Sequence, residues 1–227
     1  LIGLATFLLF LATSMYNRAG ARAMGEALSS DSQVVNWYLS NDARQRSAQL
    51  IQFGIDGDIA RSLAKSSEND QKVPDEARDK AQAALKKVNA GIPADQAFDA
   101  VFLVDQHGRV VAHLGYEQAS GNADFELGGY PVVADALRGY IRDDTLVLDR
   151  IYRVVARPVE ADTSQLPAGA IVGARILDDR FARELSSRTG AAIAFYTAGA
   201  RVSSGAPETF NSAQLDQIVS DFSSLDS

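Results

Sequence analysis

The sequence contains no cysteine, and its only histidines are His107 and His113. A chain without thiols forms neither disulfides nor a thiolate metal site, so this composition suits a bacterial periplasm as well as a cytoplasm. Two histidines alone are a weak basis for metal binding, and Asp56-Gly57-Asp58 is too short for a calcium loop. We therefore expect no metal site and no cofactor.

Basic runs and enzyme motifs are also missing. The chain carries 22 lysines and arginines against 29 aspartates and glutamates, which gives a net charge of −7. A nucleic-acid-binding protein needs a basic face to meet phosphates, so we expect no nucleic-acid partner. The sequence has neither a glycine-rich phosphate loop with a lysine nor a glycine-flanked serine partnered by a histidine. We therefore expect that the chain is not an enzyme.

The chain also lacks an apolar run of full membrane-spanning length. Residues 1–12 are uncharged and strongly apolar, but a bilayer span needs about 20 such residues. Tyr16, Arg18 and Arg22 follow the run and suit a membrane interface. We interpret residues 1–13 as the outer end of a transmembrane helix; the alternatives are the apolar part of a signal peptide and a buried helix of a soluble protein.

Residues 14–95 contain helix-forming sequence, with a break expected near Gly54 because glycine weakens a helix. Residues 75–89 predict a second helix, with acidic residues in the first turn and lysines in the last. An apolar stripe recurs along the first helix at three- and four-residue steps. Its members are Val34, Val35, Tyr38, Leu39, Ala43, Leu50 and Phe53. The stripe fits either a dimer seam or packing against the chain's own sheet.

Residues 98–177 alternate short β-branched runs with glycine-containing turns, which is typical of an antiparallel sheet. The first two runs form a hairpin around Gly108, with the word Val-Asp-x-x-Gly-Arg-Val. Residues 130–139 predict a short helix, since a proline stands near its start and a glycine at its end. Three more strands follow, so the predicted order is β-β-α-β-β-β. Residues 178–227 predict a capped helix, a second hairpin and the start of a smaller module.

The anchor, the long helix, the Val-Asp-x-x-Gly-Arg-Val word and the Gly-Ala-Ile-Val-Gly-Ala-Arg-Ile strand together resemble the Cache family. These are PAS-like extracytoplasmic sensor modules of bacterial receptors, and the double-Cache type is the most similar. The resemblance implies an α+β fold with a long N-terminal helix packed on a PAS-like antiparallel sheet. It also implies that residues 96–177 are a membrane-distal module and residues 178–227 part of a membrane-proximal one. The amino-acid-binding arginine-x-tryptophan-tyrosine word of the family is absent.

A PAS-like module binds small molecules between its sheet and its helix-bearing segment, here residues 115–139. Arginine and tyrosine side chains around that segment and the fourth strand would suit a carboxylate, because the guanidinium fork matches its two oxygens. Arg153 is the first candidate. The alternative is that these arginines pair with Asp143, Asp144 and Asp149. The candidate ligand-binding residues are Tyr130, Arg138, Arg153, Arg157, Tyr152 and His113.

The predicted function is the extracytoplasmic ligand-sensing domain of a bacterial inner-membrane receptor, either a chemoreceptor, a histidine kinase or a cyclic-di-GMP enzyme. Binding of a small, anionic metabolite would displace the long helix and pass a signal across the membrane. The expected partners are that ligand and a second copy of the chain, joined through the N-terminal helix. The alternative function is a dimerisation or protein-interaction module that binds no ligand.

Overall fold

The computed structural model describes residues 30–121, 125–160, 166–197 and 200–206, together with residues 213, 216, 217 and 219–221. The predicted membrane anchor, residues 1–13, lies outside these ranges. Within them, no helix combines the length and the apolar character that a membrane crossing requires.

Three helices form one layer of the molecule. The first, α1, is helical at every described residue from 30 to 54. It is followed by α2 (Gly57–Ser67) and α3 (Asp75–Asn89). The expected break near Gly54 is confirmed, because Asp56 caps a new helix by accepting hydrogen bonds from the backbone N–H groups of Asp58 and Ile59 at 2.9 and 3.1 Å.

Five antiparallel strands form the second layer. They are β1 (Ala100–Asp105), β2 (Val110–Leu114), β3 (Arg142–Val147), β4 (Ile151–Val159) and β5 (Gly169–Ile176). Their spatial order is β2-β1-β5-β4-β3. The short helix α4 (Pro131–Leu137) lies between β2 and β3 in the chain, which confirms the predicted β-β-α-β-β-β order. Short 3₁₀ turns occur at Ala94–Gln96 and Glu117–Gly121.

The two faces of the sheet pack against different elements. On one face, which we call the helix face, Val101, Leu103, Val155 and Ile171 contact the layer of α1, α2 and α3. On the other, which we call the α4 face, Phe102, Val154, Ala156 and Val172 pack against α4 and the segment before it. Successive strand residues point to opposite faces, so β4 contributes to both cores.

The turn between β1 and β2 is fixed by one glycine and one buried ion pair. Gly108 has φ = 85°, and a Cβ atom there would lie 2.6 Å from the Cα of Gly128, so any larger residue would clash. Arg109 and the fully buried Asp105 form the ion pair, with 2.7 Å between Nη2 and Oδ2. Arg109 also donates to the carbonyls of Ser66 and Asn69 at the end of α2. The Val-Asp-x-x-Gly-Arg-Val word therefore joins the hairpin to α2.

A second, smaller unit follows the sheet. Helix α5 (Asp179–Thr189) is capped by Asp178, and Gly190 ends it at φ = 76°. Strands β6 (Ala194–Thr197) and β7 (Ala200–Ser204) pair as a separate two-stranded sheet. Phe195 of β6 stacks on Phe181 of α5, with 5.9 Å between ring centroids. The predicted α+β fold with a helix-backed antiparallel sheet is confirmed, while the division into two modules stays a prediction.

Most of the apolar stripe of α1 packs within the chain, which is one of the two expected alternatives, while its first member, Val34, is exposed. Ala43, Leu50 and Phe53 are buried in the core between α1 and the helix face. Val35 and Leu39 pack on a cluster centred on Phe181 and Leu185 of α5. Ala43, Leu50 and Phe53 are therefore engaged within the chain, while dimerisation through α1 stays a prediction.

Candidate ligand site

Aromatic side chains occupy the α4 face of the sheet. Phe102 and Tyr116 meet edge to face, with 5.7 Å between ring centroids, and Tyr116 meets Tyr152 in the same way at 6.3 Å. Phe125 completes the group, at 5.5 Å from Tyr116 and 6.1 Å from Phe102. Ring pairs at these distances are attractive beyond the area they bury. These four rings form an apolar surface, which we call the aromatic wall, and it contains the hydroxyl groups of Tyr116 and Tyr152.

Asp149 supplies the charge next to this wall. It lies exposed in the turn between β3 and β4, and its carboxylate accepts a hydrogen bond from the Tyr152 hydroxyl at 2.9 Å. The side-chain amide of Gln118 donates to the other carboxylate oxygen at 3.1 Å. Tyr152 and Gln118 therefore join the 3₁₀ turn before α4 to the β3–β4 turn through one carboxylate.

The tyrosine hydroxyls of the aromatic wall have raised pKa values and are neutral. Burial raises the pKa of Tyr152 well above its usual value, and the hydrogen bond to Asp149 raises it further. The pKa of Tyr116 is also raised, chiefly by burial and then by the negative charge of Asp149. Neutral hydroxyls can donate and accept hydrogen bonds, so these groups are suited to recognising a ligand through hydrogen bonds.

Three of the candidate residues from the sequence lie on the α4 face. Tyr152 belongs to the aromatic wall, and Tyr130 immediately precedes α4 and packs against the same core. His113 of β2 is opposite Phe102 in the strand register, which places it on this face at the edge of the sheet. Burial lowers the pKa of His113, so its neutral form is favoured in the folded protein. The structure therefore brings Tyr130 and Tyr152 to one core.

Arg153 and Arg157 lie on the helix face, which corrects the prediction that Arg153 shares a cavity with Tyr130 and residues 115–139. Arg153 pairs with Asp143 of β3, the internal ion pair that was the alternative. Arg157 donates from Nη1 to the Ser47 hydroxyl on α1 at 2.9 Å. The physical reason is strand alternation: because Tyr152 is on the α4 face, its neighbour Arg153 must point the other way.

Arg138 lies outside both cores. It follows α4, its side chain is 73% exposed, and its guanidinium is 3.9 Å from the carboxylate of Asp135. An ion pair this exposed is screened by water and orders little. The structure therefore does not bring Arg138 together with Tyr130 and Tyr152.

The sequence reasoning missed Tyr116 and Gln118, and considered Asp149 only as a partner for an arginine. Tyr116 directly follows Gly115, whose φ of 78° turns the chain off β2 and towards the α4 face. An aromatic residue after such a turn, in a segment already expected to cover a site, was the available signal. Among the described ranges, no cluster of three or more histidine, aspartate or glutamate side chains has the arrangement of a metal site.

A family model matches much of this architecture. The CHASE4 domain model matches residues 73–196, which run from just before α3 to β6 and make up more than half of the chain. The comparison with curated protein sequences found no match.

Solved sensor structures are similar to the chain in outline. The sensor domain of the histidine kinase DctB from Vibrio cholerae matches with 15% identity and a TM-score of 0.46, covering 82% of this chain and 75% of that one. The LuxQ periplasmic domain from Vibrio cholerae matches with 15% identity and a TM-score of 0.47, covering 80% of each chain. The sensory domain of the Campylobacter jejuni chemoreceptor Tlp3 matches with 14% identity and a TM-score of 0.42, covering 82% of this chain and 77% of that one. At these values the likenesses carry no ligand or activity across to this chain.

Proposed function

The chain belongs to the CHASE4 domain family, and we propose that it is the extracytoplasmic ligand-sensing domain of a bacterial inner-membrane receptor. The observation that carries the proposal is the two-sided sheet. Its α4 face presents buried tyrosine hydroxyls beside the Asp149 carboxylate, and its helix face packs on α1. A ligand bound on the α4 face would therefore be separated by only the thickness of the sheet from α1, the helix nearest in sequence to the proposed membrane anchor.

The chemistry of the α4 face favours a ligand that donates hydrogen bonds. Asp149 is an acceptor only, and its charge and the aromatic rings suit a protonated amine or a hydroxyl-rich metabolite. The two arginines that argued for a carboxylate lie on the other face of the sheet. We therefore propose a small amine or polyol at the α4 face, in place of the anion expected from the sequence.

Signal output would run through α1. Arg157 on β4 holds Ser47 of α1 by a hydrogen bond, so a shift of β4 on ligand binding would move the helix. Displacement of α1 would then act on a kinase, chemoreceptor or cyclic-di-GMP output elsewhere in the parent receptor. In this role the chain binds and transmits, and it performs no reaction of its own.

We also propose that the chain dimerises through α1, using a stripe that shares only Val34 with the one that the sequence suggested. Apolar side chains stand exposed at Val34, Trp37, Ile51 and Ile55, with exposed fractions of 42%, 65%, 42% and 77%. These positions, with Asn41, Arg44 and Ala48 between them, follow the alternating three- and four-residue spacing of a coiled-coil seam that is apolar at its two ends and polar in the middle, with Ile55 just beyond the end of α1. A second copy of α1, held nearby by a membrane anchor, would cover this stripe.

The decisive experiment is a thermal-shift screen of the 227-residue chain against amines, amino acids, sugars and carboxylates. A ligand that binds the folded state raises the melting temperature in proportion to the logarithm of its excess over Kd. Loss of one hydrogen bond in Tyr152→Phe should weaken binding by about fivefold or more. Arg153→Gln is the matched control, because Arg153 is the next residue on β4 and faces away.

Two results would contradict this assignment. A ligand whose affinity depends on Arg153 and not on Tyr152 would move the site to the helix face. A complete lack of response across the screen, with cross-linking along α1, would favour the alternative function of a dimerisation module. The tight ring contacts of the α4 face are the observation that favours that alternative.

A further inference from the structure

A polar cavity of about 540 Å³ lies where α1, β5 and α5 meet, on the side of the sheet opposite the aromatic wall. Asp42, Arg46 and Gln49 line it from α1. Arg175 lines it from β5, and Glu184 and Arg188 line it from α5. This volume is within the usual range for small-molecule sites, which is about 300–1,000 Å³.

Most charges around the cavity are paired with one another. Arg175 bridges Asp42, at 3.4 Å, and Glu184. Arg188 is 3.2 Å from the same Glu184 carboxylate, and Tyr38 donates its hydroxyl to that group at 3.2 Å. The positive neighbours lower the pKa of Glu184 even though burial alone would raise it, so the carboxylate stays charged. Both acidic side chains are therefore already engaged.

Arg46 is only partly satisfied. Its Nε donates to Asp42 at 2.9 Å, yet the residue is just 7% exposed, and its buried Nη1 has no hydrogen-bond partner among the described residues. One turn further along α1, the buried Oε1 of Gln49 also has no partner within the same ranges. Buried polar groups are nearly always paired, so the Arg46 Nη1 donor calls for an acceptor in the cavity, and the Gln49 Oε1 acceptor calls for a donor.

The charge balance indicates the sign of that partner. The lining residues include three guanidinium groups, of Arg46, Arg175 and Arg188, against two carboxylates, of Asp42 and Glu184. One positive charge is therefore left without a counter-charge within the lining. Gln49 Nε2 donates to Oε1 of Gln96 at 3.2 Å, and rotation of both amides would keep that hydrogen bond while turning the unpaired Gln49 acceptor position into a donor for an anion.

We propose that this cavity is a second ligand site, specific for a small carboxylate or a comparable oxyanion, with Arg46 Nη1 and the Gln49 amide as its donors. The planar guanidinium edge matches the two oxygens of a carboxylate better than it matches a spherical ion. The site is independent of the amine or polyol site on the α4 face. Its ligand would contact the same residues that tie α1 to α5, so occupancy would tighten the junction between the long helix and the second unit.

The test measures binding of formate, acetate, succinate and phosphate to the 227-residue chain by calorimetry and thermal shift, with chloride at equal ionic strength as the salt control. We expect a saturable rise in melting temperature for carboxylates and none for chloride. Arg46→Lys keeps the positive charge but loses the planar guanidinium group, so the Kd for carboxylates should rise by more than about tenfold. Gln49→Ala, at a half-buried position, should weaken binding by about fivefold and guards against misfolding of the arginine variant.

Arg183→Gln is the matched control, because Arg183 is exposed on α5 and does not line the cavity. Its carboxylate affinity should equal that of the unchanged chain, as should that of Tyr152→Phe. Equal responses to chloride and acetate would overturn the proposal, and so would an acetate affinity unchanged by both Arg46→Lys and Gln49→Ala. Loss of acetate binding in Tyr152→Phe would also overturn it, by placing the anion on the α4 face.

Discussion

Replacement of Arg109 by methionine should be among the most destabilising single changes in the hairpin. Asp105 has no exposed surface, and it accepts hydrogen bonds from Nε and Nη2 of Arg109 at 2.9 and 2.7 Å. Its remaining donors are the Ser66 hydroxyl at 2.7 Å and the backbone N–H groups of His107 and Arg109 at 3.0 and 3.1 Å. Arg109→Met leaves a buried carboxylate held by neutral donors alone.

The magnitude follows from the burial. Removing one partner of a buried ion pair costs about 3–5 kcal/mol, because the other charge is left uncompensated. The carbonyls of Ser66 and Asn69 at the end of α2 also lose the donor that Arg109 provides. With a urea dependence of about 2 kcal/mol/M, the unfolding midpoint should fall by about 1.5–2.5 M. Urea titration followed by far-ultraviolet circular dichroism measures it.

Two further variants make the measurement specific. Arg138→Met removes an arginine whose side chain is 73% exposed, and it should change the unfolding free energy by less than about 1 kcal/mol. The double variant Asp105→Asn, Arg109→Met should be more stable than Arg109→Met, because it removes the uncompensated charge. An Arg109→Met cost below about 1 kcal/mol at an unchanged denaturant slope would refute the reasoning that this word anchors the hairpin to α2.

Three other outcomes are expected. The chain has no native cysteine, so Trp37→Cys and Ile51→Cys in the membrane-bound receptor should form disulfide-linked dimers on oxidation. Leu50→Cys is the control, because Leu50 is fully buried and should not cross-link. Equal cross-linking of all three variants would contradict the proposed dimer seam. Burial lowers the pKa of His113 in the folded protein below its unfolded value of about 6.5. The neutral imidazole therefore contributes stability above about pH 6.5, and this contribution is lost as the pH falls through the lower, folded-state pKa. Urea unfolding at about pH 7.5 and 5.5 should therefore show a smaller acid-induced loss for His113→Gln. Arg157→Ala removes a hydrogen bond to α1 and should cost about 1–3 kcal/mol in the same assay, without changing the ligand affinity of the α4 face.

Local signals in the sequence were enough to predict most of the fold. Gly108 marked the first hairpin, Asp178 and Gly190 bracketed α5, and the β-branched runs gave the strands. The third strand begins at Arg142, in a polar stretch without β-branched residues (142–144), and its pairing with β4 is set by register and not by side-chain propensity. Membership in the CHASE4 family confirms the prediction of a sensor domain, while the double-Cache type stays a prediction.

The site was harder to predict because its geometry depends on which layer covers which face. Alternation along β4 already implied that Tyr152 and Arg153 point in opposite directions, but not which of them meets α4. That choice is made by contacts distant in sequence, such as the one between Arg175 and Asp42, which are 133 residues apart. No local sequence pattern around Arg46 predicts that it lines a cavity together with Arg175 and Glu184.

The two faces of β4 offer a physical route from ligand to helix. A sheet held by antiparallel ladders is stiff along its strands, and β4 pairs with β3 from Ile151 to Ala156 and with β5 from Tyr152 to Val159. Tyr152 at one end is tied to Asp149 on the α4 face, and Arg157 near the other end is tied to Ser47 on the helix face. A ligand that hydrogen-bonds to the Tyr152 hydroxyl and to Asp149 together would pull on the Tyr152 end of β4 and tilt the strand. Because Arg157 is fixed to α1, that tilt is converted into a displacement of the helix, and the two ties are the positions at which mutation should separate binding from signalling.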